Sequence, residues 1–277
     1  MKYFGFLARF VVVPLMILGW LTWRDNKRGK TMPANLSNYP AVAVLAGHVA
    51  TAIAYTTPWD NYLVATKVWW YDRKKVTGLT LGWVPIEEYT FFVLQSLLTG
   101  LWTLWWAKRL PTAEAPYPAD PNTSLPARLA TTGALGALWT VSAYNLWRGH
   151  QPGNYLNLTL AWALPPIMLQ TLLGGDILWR QRKLIALGII PATLYLSSAD
   201  SLAIGSGTWT INPAKTLNLH LPNKLPLEEG LFFLLTNTLL VFGMILVLSP
   251  ESERRIPGTM RKSYFRLKRK LLGEGTS

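Results

Sequence analysis

The chain carries the sequence PIEEYTFF at residues 85–92 and, 141 positions later, the sequence PLEEGLFF at residues 226–233. In each copy, two adjacent glutamates stand at the polar start of a long apolar stretch. The similarity extends upstream with identical internal spacings. An Asp, a Trp and a Lys occur at matching positions of both copies: Asp60, Trp69 and Lys75, then Asp200, Trp209 and Lys215. We therefore predict a duplicated unit whose acidic residues mark the functional site.

Composition and apolar stretches indicate an integral membrane helix bundle. Half of the 277 residues are hydrophobic and 15% are charged, against about 25% charged residues in a typical soluble domain. Runs near the ~20 residues that cross a bilayer predict about seven transmembrane helices: Phe4–Trp23, Ala41–Tyr55, Tyr89–Ala107, Leu129–Trp147, Leu156–Gly175, Leu184–Ala199 and Leu231–Leu248. Because these runs are continuous and do not alternate, the predicted class is an all-α membrane protein.

The duplication predicts the domain organisation. Residues 1–110 and 151–250 form two three-helix repeats, residues 111–150 a linker with one extra helix, and residues 251–277 a basic cytoplasmic tail. The extra helix makes the repeats parallel, since three spans alone would invert the second one. Both glutamate pairs then face one leaflet, in one composite pocket or a facing pair. Prolines in the linker predict an extended loop: Pro111, Pro116, Pro118, Pro121 and Pro126.

The distribution of lysine and arginine predicts the orientation. Eighteen of these residues fall on the side of the tail and eight on the other side. Because the richer side is cytoplasmic, we expect a multi-pass cell-membrane protein with its N-terminus outside and its C-terminus in the cytoplasm. The basic tail suits an anionic lipid surface, and no nucleic-acid recognition module accompanies it.

Several kinds of site are excluded by the composition. The chain has no cysteine, and its three histidines, His48, His150 and His220, are far apart in sequence. This excludes thiolate metal sites and a cysteine nucleophile, and it leaves no metal-ligand spacing. No glycine-rich nucleotide-binding string is present. We expect neither a metal nor a cofactor.

The candidate catalytic residues are the two glutamate pairs, Glu87 with Glu88 and Glu228 with Glu229. Acids at a helix start also complement the helix dipole, so a structural role is the alternative. Adjacent helical residues point about 100° apart. Polar residues at helical spacing follow the second glutamate of each pair, which predicts that Glu88 and Glu229 face the bundle.

Two carboxylates in an apolar pocket repel each other, so one of them stays protonated and can act as an acid. Neighbouring aromatic faces can stabilise a cation. The combination predicts carbocation chemistry on a lipid-like substrate. Candidate substrate contacts are the aromatic residues Trp69, Trp209, Phe91, Phe92, Phe232 and Phe233; for the tryptophans, a place in the interfacial aromatic belt is the alternative.

Three further pairs are candidates for supporting roles: Asp60 and Asp200, Lys75 and Lys215, and Pro85 and Pro226. The aspartates are expected to begin the loops before the glutamate helices, as turn formers or as catalytic groups. The lysines are either solvated loop residues or partners of the glutamates. The prolines suit a first helical turn.

The unit resembles the lycopene cyclase domain of archaea, actinobacteria and fungi, through PWDNY at residues 58–62 and the repeated Pro-x-Glu-Glu-x-x-Phe-Phe pattern. The chain is similar to the fused form with two units. The resemblance implies conversion of the ψ end groups of lycopene into β-ionone rings without net redox change or cofactor. One glutamate acts as acid, and a second carboxylate or the same one acts as base.

The resemblance implies that the first glutamate of each pair is the more diagnostic of the family. The direction in which helical side chains point favours the second glutamate as the one that faces the bundle. All four glutamates therefore stay candidates. The second unit has SADS at residues 198–201 where the first has PWDN at residues 58–61, which implies unequal contributions of the two units to the site.

Expected partners are lycopene or a related linear carotenoid, membrane lipid and other carotenoid enzymes. Alternatives are a carotenoid end-group hydratase or another carotenoid-modifying enzyme, and a membrane transporter; a retinal photoreceptor would need a lysine within the last span, which has none.

Overall fold

The computed structural model describes residues 1–111, 120, 122–149, 153–256 and 258–272. Long helices form the bundle, and pairs of short strands lie in its loops. The predicted all-α membrane class is confirmed. The helices are α1 (Tyr3–Lys27), α2 (Ala41–Ala65), α3 (Ile86–Ala107), α4 (Leu125–Trp147), α5 (Asn154–Arg180), α6 (Arg182–Gly205), α7 (Leu227–Leu248) and α8 (Gly258–Leu272).

The same order of elements occurs twice. After α2 come β1 (Trp69–Tyr71) and a hairpin of β2 (Thr80–Leu81) and β3 (Val84–Pro85), and then α3. After α6 come β4 (Trp209–Ile211) and a hairpin of β5 (His220–Leu221) and β6 (Leu225–Pro226), and then α7. Each hairpin thus delivers its Pro-x-Glu-Glu segment directly into the first turn of an apolar helix.

The two sets of elements meet along matching positions. Strands β1 and β4 pair antiparallel with Trp70 opposite Thr210, so each set contributes one strand to a shared two-stranded sheet. Deeper in the bundle, α3 packs against α7. There the Gln95 Nε2 donates to the Thr236 Oγ1 at 3.1 Å, and these residues are 141 positions apart. The contacts are those of a twofold arrangement in which α3 and α7 start at the same end.

Five helices of the described chain are long and apolar enough to cross a membrane: α1, α2, α5, α6 and α7. The sequence predicted about seven spans, and the remaining two correspond to α3 and α4. Helix α3 carries three tryptophans and two glutamates, and it packs against α1, α2, α6 and α7. Helix α4 packs mainly against α5.

Two helix ends differ from the sequence prediction. Helix α2 continues to Ala65 and α6 to Gly205, so the expectation that Asp60 and Asp200 begin loops is wrong. Pro58 removes one backbone hydrogen bond of α2. The last turns nevertheless stay helical, because they pack against the bundle and bury Leu63 completely.

The prediction that the proline-rich linker is an extended loop is wrong at one residue. Pro126 lies in the first turn of α4, where a proline needs no hydrogen-bond partner for its nitrogen. Pro116, Pro118 and Pro121 lie outside the described residues. The tail, expected only to be basic, forms a 3₁₀ turn at Pro250–Arg255 and then α8.

Buried apolar residues form two clusters. One surrounds the starts of α3 and α7 and includes Phe6, Leu63 and Leu196. The other lies towards the opposite ends of these helices and includes Leu45 and Met244. The first cluster encloses the candidate site.

Candidate active site

One cavity lies between the two sets of elements, at the start of α3 and α7. Its empty volume is about 420 Å³, a figure that includes the space at its open mouth. Four carboxyl groups line it: Asp60, Glu88, Asp200 and Glu229. The rest of the lining is aromatic apart from one isoleucine: Tyr3, Trp59, Trp69, Tyr71, Phe91, Phe92, Tyr155, Trp209, Ile211, Phe232 and Phe233.

Glu88 is held by two phenols. The Tyr3 hydroxyl donates to its Oε2 at 2.5 Å and the Tyr71 hydroxyl at 3.0 Å. Burial, and then the charge of Glu88, raise the pKa of the Tyr71 phenol well above its usual value of 10.0. Tyr71 therefore stays protonated and donates. Two O–H donors stabilise the ionised form of the Glu88 carboxyl.

Glu229 occupies the equivalent place at the start of α7 with fewer donors. The Tyr155 hydroxyl, in the first turn of α5, lies next to its carboxyl group. The Glu229 Oε1 is buried without a hydrogen-bond partner among the described residues. Tyr3 and Tyr155 thus take matching positions at the starts of α1 and α5, but the second set of elements supplies no counterpart to Tyr71.

The first glutamate of each pair is turned away from the cavity towards a loop. The Glu87 Oε1 accepts a hydrogen bond from the Thr77 backbone nitrogen at 2.6 Å, and the Glu228 Oε1 accepts one from the Leu217 nitrogen at 2.7 Å. Both glutamates are almost completely buried. Their contacts fix the loop that leads into each hairpin.

Asp60 and Asp200 reach the cavity from within α2 and α6. The Asp200 Oδ1 accepts a hydrogen bond from the Trp209 indole nitrogen at 3.0 Å. Neither oxygen of Asp60 has a donor among the described residues, and the side chain is 0% exposed. In the first set of elements the Trp69 indole donates to the Tyr71 hydroxyl at 3.1 Å, and not to the aspartate.

The six aromatic residues predicted from the sequence all line the cavity. Trp69 and Trp209 are only 7% and 8% exposed, so the alternative that they belong to the interfacial belt is wrong for both. The Trp59 ring stacks on the Phe232 ring at 5.7 Å and 7°, which joins the two sets of elements across the cavity. Aromatic faces of this kind stabilise a positive charge.

The two lysines bind backbone carbonyls and not the glutamates. The Lys75 Nζ donates to the Ser206 carbonyl oxygen at 2.5 Å, just after α6. The Lys215 Nζ donates to the Thr66 carbonyl oxygen at 2.7 Å, just after α2. Each lysine therefore caps a helix of the other set of elements. Pro85 and Pro226 end β3 and β6 and immediately precede α3 and α7.

The four carboxyl groups of the cavity interact with one another. Asp60 is near enough to both Glu88 and Glu229 to feel their charges, and so is Asp200. Because buried like charges disfavour each other's ionisation, we do not expect all four carboxyl groups to be ionised at once. In the described part of the chain, no group of three or more acidic or histidine side chains has a geometry that could hold a metal ion.

Comparison with known proteins identifies the family. A family model described as lycopene cyclase matches residues 3–106. The lycopene beta-cyclase of Halobacterium salinarum (strain ATCC 29341 / DSM 671 / R1) is 36% identical over 245 residues, which cover 88% of this chain and 95% of that protein. The chain belongs to the lycopene cyclase family. The resemblance drawn from its sequence is thereby confirmed.

Fungal relatives of this lycopene cyclase family member are longer. The bifunctional lycopene cyclase/phytoene synthase of Phaeosphaeria nodorum is 38% identical over 205 residues, covering 71% of this chain and 34% of the fungal protein. The protein of the same description from Podospora anserina is 36% identical over 199 residues, covering 71% of this chain and 33% of its own length. No solved structure matches the chain.

Sequence reasoning missed the three tyrosines of the cavity. Tyr3 and Tyr155 stand at the starts of matching helices, but their spacing of 152 positions differs from that of the glutamates, so they do not align. Tyr71 has Ile211 as its counterpart and leaves no repeat signal. The position of Tyr71 two residues after Trp69, on the same face of a short strand, is the signal that could have found it.

Proposed function

We propose that this chain is a lycopene β-cyclase, which converts the ψ end groups of lycopene into β-ionone rings in the membrane by acid catalysis without a cofactor. One observation carries the proposal: four buried carboxyl groups and a nearly continuous aromatic lining share a single cavity. Such a cavity supplies a proton and stabilises the cation that the proton creates. The family relationship supports lycopene as the substrate.

The reaction needs only one proton gained and one lost. A carboxylic acid protonates C2 of the terminal C1–C2 double bond, which leaves a cation at C1. The C5–C6 double bond attacks C1, so that the C1–C6 bond forms and the positive charge moves to C5. A carboxylate then removes the proton from C6, which restores a double bond between C5 and C6. The product is an isomer of the substrate.

The carboxyl groups in contact with the substrate are those of the cavity, with Glu88 and Glu229 at its two matching sides. Glu87 and Glu228 have a positioning role, because their carboxylates are engaged by backbone amides of the preceding loops. The aromatic lining has two roles. It stabilises the cation, and it excludes the water that would otherwise capture the cation as an alcohol.

Both repeats build this one site. We take residues 1–110 and 151–250 as the repeats, residues 111–150 as the linker and residues 251–277 as the tail. The paired strands β1 and β4, the stacked rings of Trp59 and Phe232, and the reciprocal lysine caps support a composite site. An end group of lycopene would enter between the repeats, and a change in either repeat would affect both ends of the substrate.

The tail is proposed to lie on the cytoplasmic surface of the cell membrane. Its helix α8 docks at the start of α2, where the Tyr264 hydroxyl lies 2.7 Å from that of Tyr39 and the Lys268 Nζ lies 2.7 Å from the Glu253 Oε1. Other cations of α8, such as Arg261 and Arg266, are exposed. They suit the anionic headgroups of a bilayer surface.

Expression of the chain in lycopene-accumulating cells tests the proposed function. The pigments are separated by chromatography and their masses are measured by mass spectrometry. They should contain cyclised products with the mass of lycopene. The matched control is the Glu88→Gln plus Glu229→Gln variant, which should leave lycopene unchanged at equal membrane expression. Lycopene that persists beside correctly inserted wild-type protein would contradict the proposal, and a product heavier by one water would indicate a hydratase.

A further inference from the structure

The four carboxyl groups of the cavity differ in how many hydrogen-bond donors they receive. Glu88 receives two phenolic hydroxyls, and Asp200 receives the Trp209 indole. Glu229 has the Tyr155 hydroxyl beside it. Asp60 receives none from the described residues, although both of its oxygens are buried. Since donors stabilise the ionised form and burial disfavours it, Glu88 and Asp60 stand at opposite ends of this order.

One difference between the repeats accounts for the order. In the second repeat, Ile211 offers no acceptor, and the Trp209 indole donates to Asp200. In the first repeat, Tyr71 occupies the matching strand position and accepts the Trp69 indole proton. Tyr71 then donates its own proton to Glu88. A single hydroxyl thus withdraws a donor from Asp60 and adds one to Glu88.

We propose that Asp60 is the acid that protonates the lycopene end group and that Glu88 is the carboxylate that accepts the proton released from C6; this proposal rests on the proposed function. Asp60 lines the cavity together with Trp59, Trp69 and the other three carboxyl groups. Its unpartnered carboxyl keeps its proton until a substrate double bond accepts it. The Asp200 of the second repeat is the less protonated counterpart.

The proton balance closes within this pair of carboxyl groups. Before the reaction, Asp60 is protonated and Glu88 is ionised. Asp60 gives its proton to C2, and the O–H bond breaks as the C–H bond forms. Glu88 takes the proton from C6, whose electron pair becomes the new ring double bond. Return of one proton from Glu88 to Asp60, two groups that lie close enough to interact, restores the starting state without any oxidant or reductant.

Several groups face Asp60 and oppose its ionisation. The charges of Glu88, from α3, and of Glu229, from α7, both act on it. The indole of Trp69 is engaged by Tyr71, and the lysines of both repeats bind backbone carbonyls away from the cavity. No described cation lines the cavity. The surroundings therefore favour a neutral Asp60 beside the phenol-bound Glu88.

The matched variants Asp60→Asn and Asp200→Asn test this division of roles, because both residues lie in equivalent helices of the cavity. Asparagine keeps the shape of each side chain and removes the transferable proton. We expect Asp60→Asn to lower kcat by about 10²–10⁴-fold, the usual contribution of a general acid, and Asp200→Asn to lower it by less than about tenfold. Equal losses, or an Asp60→Asn enzyme within about tenfold of the wild type, would overturn the proposal.

Infrared spectroscopy supplies a readout that does not depend on turnover. The wild-type protein should show the carbonyl stretch of protonated carboxylic acids, and a component of this band should be lost in Asp60→Asn and retained in Asp200→Asn. A band of unchanged strength in Asp60→Asn would refute the assignment. Should Asp60→Asn fail to fold, Asp60→Ser decides, because it also lacks the carboxyl group and is smaller. A weaker band would support the proposal, and an unchanged band would contradict it.

Failure of this inference is distinguishable from failure of the proposed function. If the wild-type chain does not cyclise lycopene, the proposed function falls, and the infrared band still reports the protonation of Asp60. If the wild type cyclises lycopene and Asp60→Asn does so almost as fast, the function stands and only the assignment of the acid is lost.

Discussion

The two glutamates of a single pair should respond very differently to the same substitution. Glu88 lines the cavity and accepts hydrogen bonds from Tyr3 and Tyr71. Glu87, the adjacent residue, binds the Thr77 backbone nitrogen outside the cavity. Glutamine keeps the shape and an acceptor oxygen at both positions but cannot exchange a proton as a carboxyl group does. Glu87→Gln and Glu88→Gln therefore form a matched pair.

The expected magnitudes follow from these contacts. Glu88→Gln removes a group that takes part in proton transfer, and such groups contribute about 10²–10⁴-fold to the rate. This corresponds to about 3–5 kcal/mol of activation free energy, at roughly 1.4 kcal/mol for each factor of ten. Glu87→Gln weakens a charge-assisted hydrogen bond to a neutral one, a loss of about 1 kcal/mol in the free energy of unfolding. Its kcat should fall by less than about fivefold, since no proton transfer is lost.

Initial rates of ring formation by purified protein in lipid vesicles measure the first quantity, and thermal unfolding of the same samples measures the second. Glu88→Gln should be nearly inactive although it remains folded, and its unfolding temperature should fall by a few degrees because its hydrogen bonds from Tyr3 and Tyr71 are weakened. Glu87→Gln should be active and a few degrees less stable, as expected for a loss of about 1 kcal/mol. If Glu87→Gln loses as much activity as Glu88→Gln while remaining folded, the distinction between a cavity glutamate and a loop-binding glutamate is wrong.

Two further predictions concern the architecture. Lys75→Met removes the hydrogen bond to the Ser206 carbonyl and should lower the free energy of unfolding by about 1.5–3 kcal/mol. Lys74 is exposed, so the control variant Lys74→Met should leave this free energy unchanged. Equal thermal stability of the two variants would contradict a capping role. Because the chain has no cysteine, a single Thr80→Cys or Ser263→Cys is a unique label site. Because the side richer in lysine and arginine is cytoplasmic, a membrane-impermeant maleimide should label Thr80→Cys in intact cells and Ser263→Cys only after lysis. The opposite pattern would refute the predicted orientation of the chain in the membrane.

Much of the site geometry follows from helical periodicity. The repeat places two Pro-x-Glu-Glu segments at helix starts, and the polar residues that follow favour Glu88 and Glu229 as the inward members of each pair. Both of these glutamates line the cavity. The angular spacing of helical residues is local information, and for this reason the sequence alone carries it.

Other features of the fold and of the site depend on contacts between segments that are distant in the sequence. The extension of α2 through Pro58 comes from burial of its last turns, which no local rule predicts. The roles of Tyr3 and Tyr155 depend on where α1 and α5 begin relative to the glutamates. The buried positions of Trp69 and Trp209 depend on the pairing of β1 with β4, because a tryptophan near a membrane boundary looks the same in sequence whether it faces lipid or a cavity.

We propose that one cavity, built by both repeats of a single chain, cyclises lycopene by proton transfer alone. The most direct test is to reconstitute the purified chain in lipid vesicles with lycopene and no added cofactor, and to analyse the products by chromatography and mass spectrometry. The wild type should form ring-containing carotenoids with the mass of lycopene, and Glu88→Gln should not. Unchanged lycopene with folded wild-type protein, or equal conversion by Glu88→Gln, would contradict it.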